Sequence, residues 1–308
     1  MWRDFTKDDL IKDIRLILCI QAMHARVLGV SDDAIEKWIG PAASDRLPNV
    51  DDLSWFELIQ SNQELLGAVP VDDSHFGQYT TECFDRVMGE TELSFCDIDA
   101  KWADIFLRSL PKLADENAPP KCLSEDGTVR ILLEHVKAAG RVWHYLVGGN
   151  GWISVKSLAC LARTSEQTVR NALSQKKTEL PTFTYEGGVA IRISAAIPWL
   201  AARRGFRPAR DSFSFDLAYS LLCKKASKFD KPHPWLRSVA FWNCGLPPVI
   251  AQRSGLSIQV VERILQGDTT IGPDALAAFA DVTLINREAL QKAFAAGFEA
   301  KECPGDVR

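Results

Sequence analysis

No run of about 18 consecutive apolar residues occurs in the 308 positions, which excludes a helix apolar enough to span a bilayer. The first ten residues, MWRDFTKDDL, are charged and lack the apolar stretch of a secretory signal, so a soluble, cytoplasmic chain with no membrane partner is expected. Reactive chemistry is equally sparse. There is no Walker phosphate loop, no GxGxxG, no HExxH, no GxSxG and no paired-carboxylate motif; no catalytic residue, no cofactor and no enzyme activity are expected. The eight cysteines lie scattered, with no CxxC pair and no histidine at zinc-ligand spacing, which predicts reduced, mostly buried thiols and no metal site. The five histidines stand apart, and His135 and His144, nine residues from each other, would face opposite sides of one helix.

What is present is material for a core and a very uneven charge. A hydrophobic content of 46% allows a substantial interior, and the length suits two or three domains. The net charge of -4 hides an asymmetry: residues 1–120 carry 11 Lys and Arg against 23 Asp and Glu, a balance of -12. Residues 121–210 carry 14 against 6, or +8, and residues 211–308 carry 11 of each. Three domains with these bounds are expected. Duplex DNA is a polyanion whose neutralisation by Lys and Arg releases counterions, so phosphate contact is most favourable in the 121–210 segment.

Within that segment Val155 to Ser174 reads VKSLACLARTSEQTVRNALS, the residue pattern of a helix-turn-helix. Val155, Leu158, Ala162, Val169 and Ala172 occupy its apolar positions, and small Ala159 lets two helices cross closely. Ser154 and Ser165 suit the two N-caps, and Glu166 suits the dipole of the second helix. Arg163 stands at the ninth position, where many such sequences have Gly because the turn wants positive φ. The second helix would turn outward Ser165, Gln167, Thr168, Arg170, Asn171 and Ser174, able to bond base edges or phosphates, with Lys156, Lys176 and Lys177 as phosphate grips. Upstream, Thr128 to Val147 has the rhythm of a supporting helix, broken by Gly148, Gly149, Asn150 and Gly151.

Thr182 to Ile193, TFTYEGGVAIRI, alternates as two strands around Gly187-Gly188 and predicts a hairpin wing, with Tyr185 near its tip and Arg192 on a strand face. A short helix over Ala195 to Ala202 and an extended arm carrying Arg203, Arg204, Arg207 and Arg210 are expected next. From Trp152 through Arg210 the chain resembles the winged-helix, MerR/excisionase-like DNA-binding modules of bacterial and phage regulators. That resemblance implies major-groove insertion of the second helix and sugar-phosphate contact by the wing.

Pro247 to Gln266, PPVIAQRSGLSIQVVERILQ, repeats the pattern with Ile250, Ala251, Gly255, Leu256, Val261 and Ile264 in place. With the loop and the helix starting at Pro273 that follow, it resembles Cro/CI-like domains, which implies Ser257, Gln259, Arg263 and Gln266 as DNA contacts, with Thr269 and Thr270 for phosphate. Ile258, Val260 and Glu262 on the same surface leave a protein-contacting role open. A weaker echo runs from Gln21 to Gly40, with Ala25, Gly29, Val30, Ile35 and Trp38 in the apolar and turn positions. Its second helix shows Asp32, Asp33 and Glu36 against Lys37 alone, which is unfavourable towards phosphate. Leu53 to Leu66 and Ala100 to Leu113 read as amphipathic helices, and Pro119-Pro120 as a boundary.

The expected fold is mainly α, tandem helix-turn-helix domains with one small β-hairpin wing. The expected function is sequence-specific binding of double-stranded DNA as a transcription regulator of bacterial or phage type, associated with the nucleoid. The acidic N-terminal domain suits a protein partner, either the transcription machinery or a second copy. Two alternatives stay open: an excisionase-like or replication accessory factor, and a protein-interaction adaptor built on helix-turn-helix folds.

Overall fold

The computed structural model describes residues 5–49, 51, 55–88, 95–111, 127–147, 151–175, 180–185, 187–226 and 234–297. Among these the chain is mainly helical, with one three-stranded antiparallel sheet. It divides into two compact units, Met1–Thr91 with Asp99–Lys137, and Glu92–Ile98 with Ala138–Arg308. The division falls inside the helix Thr128–Leu146. The boundary expected at Pro119-Pro120 lies outside the described residues, and across the one expected at residue 210 the Ala209 N–H donates to the Trp242 carbonyl.

In the first unit the helix Lys7–Val27 starts at a reciprocal cap, in which the Thr6 hydroxyl accepts from the Asp9 N–H and the Thr6 N–H donates to the Asp9 carboxylate. Its buried face, with Leu10, Ile14, Ile17 and Met23, packs against Trp55–Ser61, Gln63–Ala68 and His75–Met88. The single helix expected over Leu53 to Leu66 is two, because Asn62 leaves the helical conformation and caps the second by accepting from the Leu65 N–H. The helix expected over Ala100 to Leu113 runs Asp97–Ser109. Arg86 and the Tyr79 hydroxyl hold it through Asp99.

In the second unit the sheet has three strands where a two-stranded hairpin was expected. Trp152–Ser154 adds antiparallel to Gly188–Arg192, which also pairs with Thr182–Tyr185. Gly188 already belongs to the strand, paired with Tyr185, so of the expected Gly187-Gly188 turn only Gly187, at φ +77°, is a turn residue. The helix Ile193–Ala201 follows directly and packs on Pro234–Asn243. Trp235, wholly buried, donates its indole N–H to the carbonyl of Leu146, and Phe213 meets its ring edge-on at 5.6 Å. Pro247–Ser254, Ile258–Leu265, Pro273–Thr283 and Arg287–Ala295 complete the C-terminal part, with Phe279 and Phe294 in its core.

The segment Arg203 to Arg210 is not an extended arm. Gly205 sits against the carbonyl of Ala162, where an added Cβ would come within 2.6 Å. Phe206 packs on Trp242 at 5.4 Å, and the Ala209 N–H donates to the Trp242 carbonyl. Beyond it, Asn243 clamps the chain: its amide donates to the carbonyls of Asp211 at 2.6 Å and Thr283 at 2.7 Å, and its side-chain oxygen accepts from the Asp211 N–H. The Trp242 indole donates to the Asp211 carboxylate. The arginines thus ride on a strap bound to the C-terminal helices and to the turn at Ala162.

Candidate nucleic-acid interface

Among the described residues three places have two helices joined by a turn whose ninth-position residue is left-handed: Gly29 at φ +84°, Arg163 at +51° and Gly255 at +72°. Gly fills this conformation without a Cβ clash in the outer two. Arg163 adopts it at a steric cost that a non-Gly residue carries in this region. The same backbone bond closes the first two turns, from Val30 N–H to the Ala25 carbonyl and from Thr164 N–H to the Ala159 carbonyl.

In the middle pair, Val155–Leu161 and Glu166–Ser174, the expected caps are present. Ser154 accepts from the Ser157 N–H and Ser165 from the Thr168 N–H, both at 3.1 Å. Val155, Leu158, Ala159, Ala162 and Val169 are buried, and Ala172 is half-buried. Val169 is the sole buried residue of the outer helix. Around it Gln167, Thr168, Arg170, Asn171 and Ser174 are all exposed. They bond one another: Gln167 donates to Asn171 at 2.7 Å, Arg170 lies 3.4 Å from Glu166, and the Ser174 hydroxyl donates to the Asn171 carbonyl. The Ser165 hydroxyl also shares a 2.8 Å hydrogen bond with the Thr168 hydroxyl, so both groups are engaged at the cap. Lys156 is half-buried on the inner helix, and Lys176 and Lys177 lie outside the described residues.

The sheet lies beside this pair. Tyr185 is 42% exposed and touches Trp152 at 4.2 Å between ring centres, and exposed Arg192 pairs with Trp152 across the ladder. On the strap Arg203, Arg204 and Arg207 are exposed, Arg203 lying over the Trp199 ring at 4.0 Å, while Arg210 is half-buried at φ +53°.

The C-terminal pair, Pro247–Ser254 and Ile258–Leu265, differs in what it offers. Ser257 caps its outer helix, and Gln259 and Gln266 are exposed. Arg263 is drawn aside: its guanidinium donates to the Asp268 carboxylate and to the Thr270 hydroxyl, each at 2.7 Å. Thr270 is therefore part of this turn as well as a candidate phosphate contact. Ile258 and Val249 are exposed on the same pair. Hydrogen bonds from the Thr270 hydroxyl and N–H, and then the Arg263 guanidinium, hold the Asp268 carboxyl down at about 2. A depressed carboxyl stabilises the fold above its ordinary value of 3.8, and that contribution disappears as pH falls through about 2. The difference in thermal midpoint between the natural chain and Asp268→Asn should be constant above pH 4 and shrink towards pH 2; a difference unchanged at pH 2 would contradict the turn's role.

In the N-terminal pair, Lys7–Val27 and Asp32–Ile39, Ile35 is buried as expected, but Trp38 is 37% exposed and Ile39 takes the inward place. Val27, Val30 and Leu28, the last 83% exposed, join Trp38 at this surface, among Asp33 and Glu36. Arg26 pairs with Asp32.

Four cysteines, Cys19, Cys83, Cys223 and Cys244, are buried and in no disulfide, and burial pushes the Cys19 and Cys83 thiols up to about 12. Such thiols stay protonated and unreactive near neutral pH. Among the described residues no group of three or more His, Cys, Asp or Glu is placed to hold a metal ion, and no helix is long and apolar enough to cross a membrane. Comparison with family models, curated proteins and solved structures returns no match for this chain.

Proposed function

We propose that the second unit binds double-stranded DNA sequence-specifically and that the protein acts as a transcription regulator of bacterial or phage type, associated with the nucleoid in the cytoplasm. One observation carries this most: the helix Glu166–Ser174 fully buries only Val169 and surrounds it with exposed amide, hydroxyl and guanidinium groups. A helix with its side chains is about 10–12 Å across, which suits a major groove about 12 Å wide. Arg170 and Asn171 read base edges, the first suited to guanine and the second to adenine, while Ser165, Gln167, Thr168 and Ser174 contact edges or phosphate. Lys156, Lys176 and Lys177 grip phosphates, with Tyr185 and Arg192 beside them on the sheet.

In this arrangement the strap takes the place of the expected extended arm. Because Gly205 lies against Ala162, the exposed Arg203, Arg204 and Arg207 stand next to the turn of the middle pair, where a flanking phosphate would pass. The C-terminal pair shares the same unit and assists as a second helix-turn-helix, through Ser257, Gln259 and Gln266. The acidic first unit takes a protein partner through the surface of Val27, Leu28, Val30 and Trp38.

The test uses the double variant Arg203→Ala/Arg204→Ala. Phosphate contacts carry no sequence information, so binding should weaken on every duplex alike and the slope of log K against log salt should flatten by about 1 to 2. An unaltered slope removes the strap from the interface, and failure of the natural chain to bind any duplex at low salt overturns the function proposed.

A further inference from the structure

The three-stranded sheet, packed against the inner helix Val155–Leu161, carries a second contact chemistry. Alternation along its strands puts Trp152, Phe183, Tyr185 and Arg192 on one face and Ile153, Val189 and Ile191 on the other. Ile153 and Ile191 are fully buried, so theirs is the inner face at that end of the sheet, whereas Val189 near the turn is 43% exposed. On the outer face Phe183 is 38% exposed and stands opposite small Ala190, while Tyr185, opposite Gly188, leans against Trp152.

A surface built to dock a protein core carries branched aliphatic side chains. This one has none. It carries three aromatic rings and two cations, with the Arg141 guanidinium 5.4 Å from the Trp152 ring centre and Arg192 opposite Trp152 in the ladder. Flat π faces next to guanidinium groups are the means by which unpaired bases are held: every base has a face to stack, and the cations balance the phosphates between them. The charge agrees, since the surrounding 121–210 segment is the basic part of the chain.

We propose that this face stacks unpaired nucleobases, so that the preferred ligand is a duplex site adjoining an opened or single-stranded stretch of DNA. The proposal rests on the DNA-binding function above and adds to it the class of DNA. Duplex contact by Glu166–Ser174 and base stacking by Phe183 would then act on neighbouring parts of one molecule.

The full chain is titrated by fluorescence anisotropy against three labelled probes: a blunt duplex, the same duplex with a short oligothymidine tail, and the same duplex with a mismatched bubble. Tryptophan emission is followed in parallel. The tail or the bubble should bind about 5- to 100-fold more tightly than the blunt probe, and only these should quench emission through Trp152. Preference for one of the two identifies whether a free strand or an opened duplex supplies the base. Phe183→Ala, on a strand exposed along its whole length, should abolish that preference and leave the blunt duplex bound as before; Phe183→Trp should keep it. Equal affinity for all three probes overturns the stacking proposal and leaves duplex binding standing. So does an equal loss on all three in Phe183→Ala. Absence of binding to any probe overturns both.

Discussion

Replacing Asn243 with Ala is expected to lower the thermal midpoint of the second unit by about 6–12 °C. The side chain is wholly buried, and its loss leaves the carbonyls of Asp211 and Thr283 and the N–H of Asp211 without that partner. Each buried polar group stripped of its bond costs about 1–3 kcal/mol, so a total of about 3 kcal/mol is the conservative expectation. In a unit of this size about 2–4 °C accompanies each kcal/mol. The chain has two units and need not melt in one step, so the transition to follow is that reported by Trp235 and Trp242, both buried in the second unit. A midpoint within about 2 °C of the natural chain would show that the clamp does not hold the strap. Because the strap carries Arg203, Arg204 and Arg207, the same variant should also loosen phosphate contact before it unfolds.

The second large effect falls on binding. Arg170→Ala should cost about 1–3 kcal/mol on the preferred duplex and leave unrelated duplexes nearly unaffected, since a guanidinium bidentate to a base edge discriminates between bases. The side chain is available for this exchange. Its ion pair with Glu166 spans 3.4 Å, and the arginine side chain is 55% exposed. Surface pairs of this kind contribute about 0–1 kcal/mol, so giving it up for DNA costs little. The variant should fold normally, because Val169, not Arg170, anchors the helix.

Much of the fold is local, and that part is legible in the sequence. Gly29 and Gly255 mark their turns because Gly is the residue that takes positive φ freely, and Ser154 and Ser165 mark helix starts because a short hydroxyl side chain can reach the orphan N–H groups. Arg163 shows the limit: the turn has the same left-handed residue, but nothing about arginine announces it. The strand Trp152–Ser154 is three residues long, too short for alternation to stand out, and exists because Gly188–Arg192 offers it an edge.

The strap was illegible for a different reason. Four arginines around Gly205 and Pro208 read as an extended arm when their surroundings are unknown, whereas the bonds that fix the segment reach from Asn243 back 32 residues to Asp211 and onward 40 to Thr283. Long-range polar clamps leave no periodic trace. The same holds for Arg263, whose place on an outward helix suggests a base contact until Asp268 and Thr270 are seen to hold it. In the N-terminal pair the inward turn of Ile39 instead of Trp38 is a one-position rotation that spacing alone does not resolve.

The most direct test of DNA reading by the middle helix pair starts from a duplex selected by the full chain out of a random-sequence pool. That duplex and an unrelated one are titrated with the natural chain and with Arg170→Ala at a single moderate salt concentration. The natural chain should prefer the selected duplex, and Arg170→Ala should lose about 5- to 150-fold on it while binding the unrelated duplex much as before. No enrichment of any sequence, or an Arg170→Ala chain that still prefers the selected duplex as strongly as the natural one, would contradict the role assigned to Glu166–Ser174.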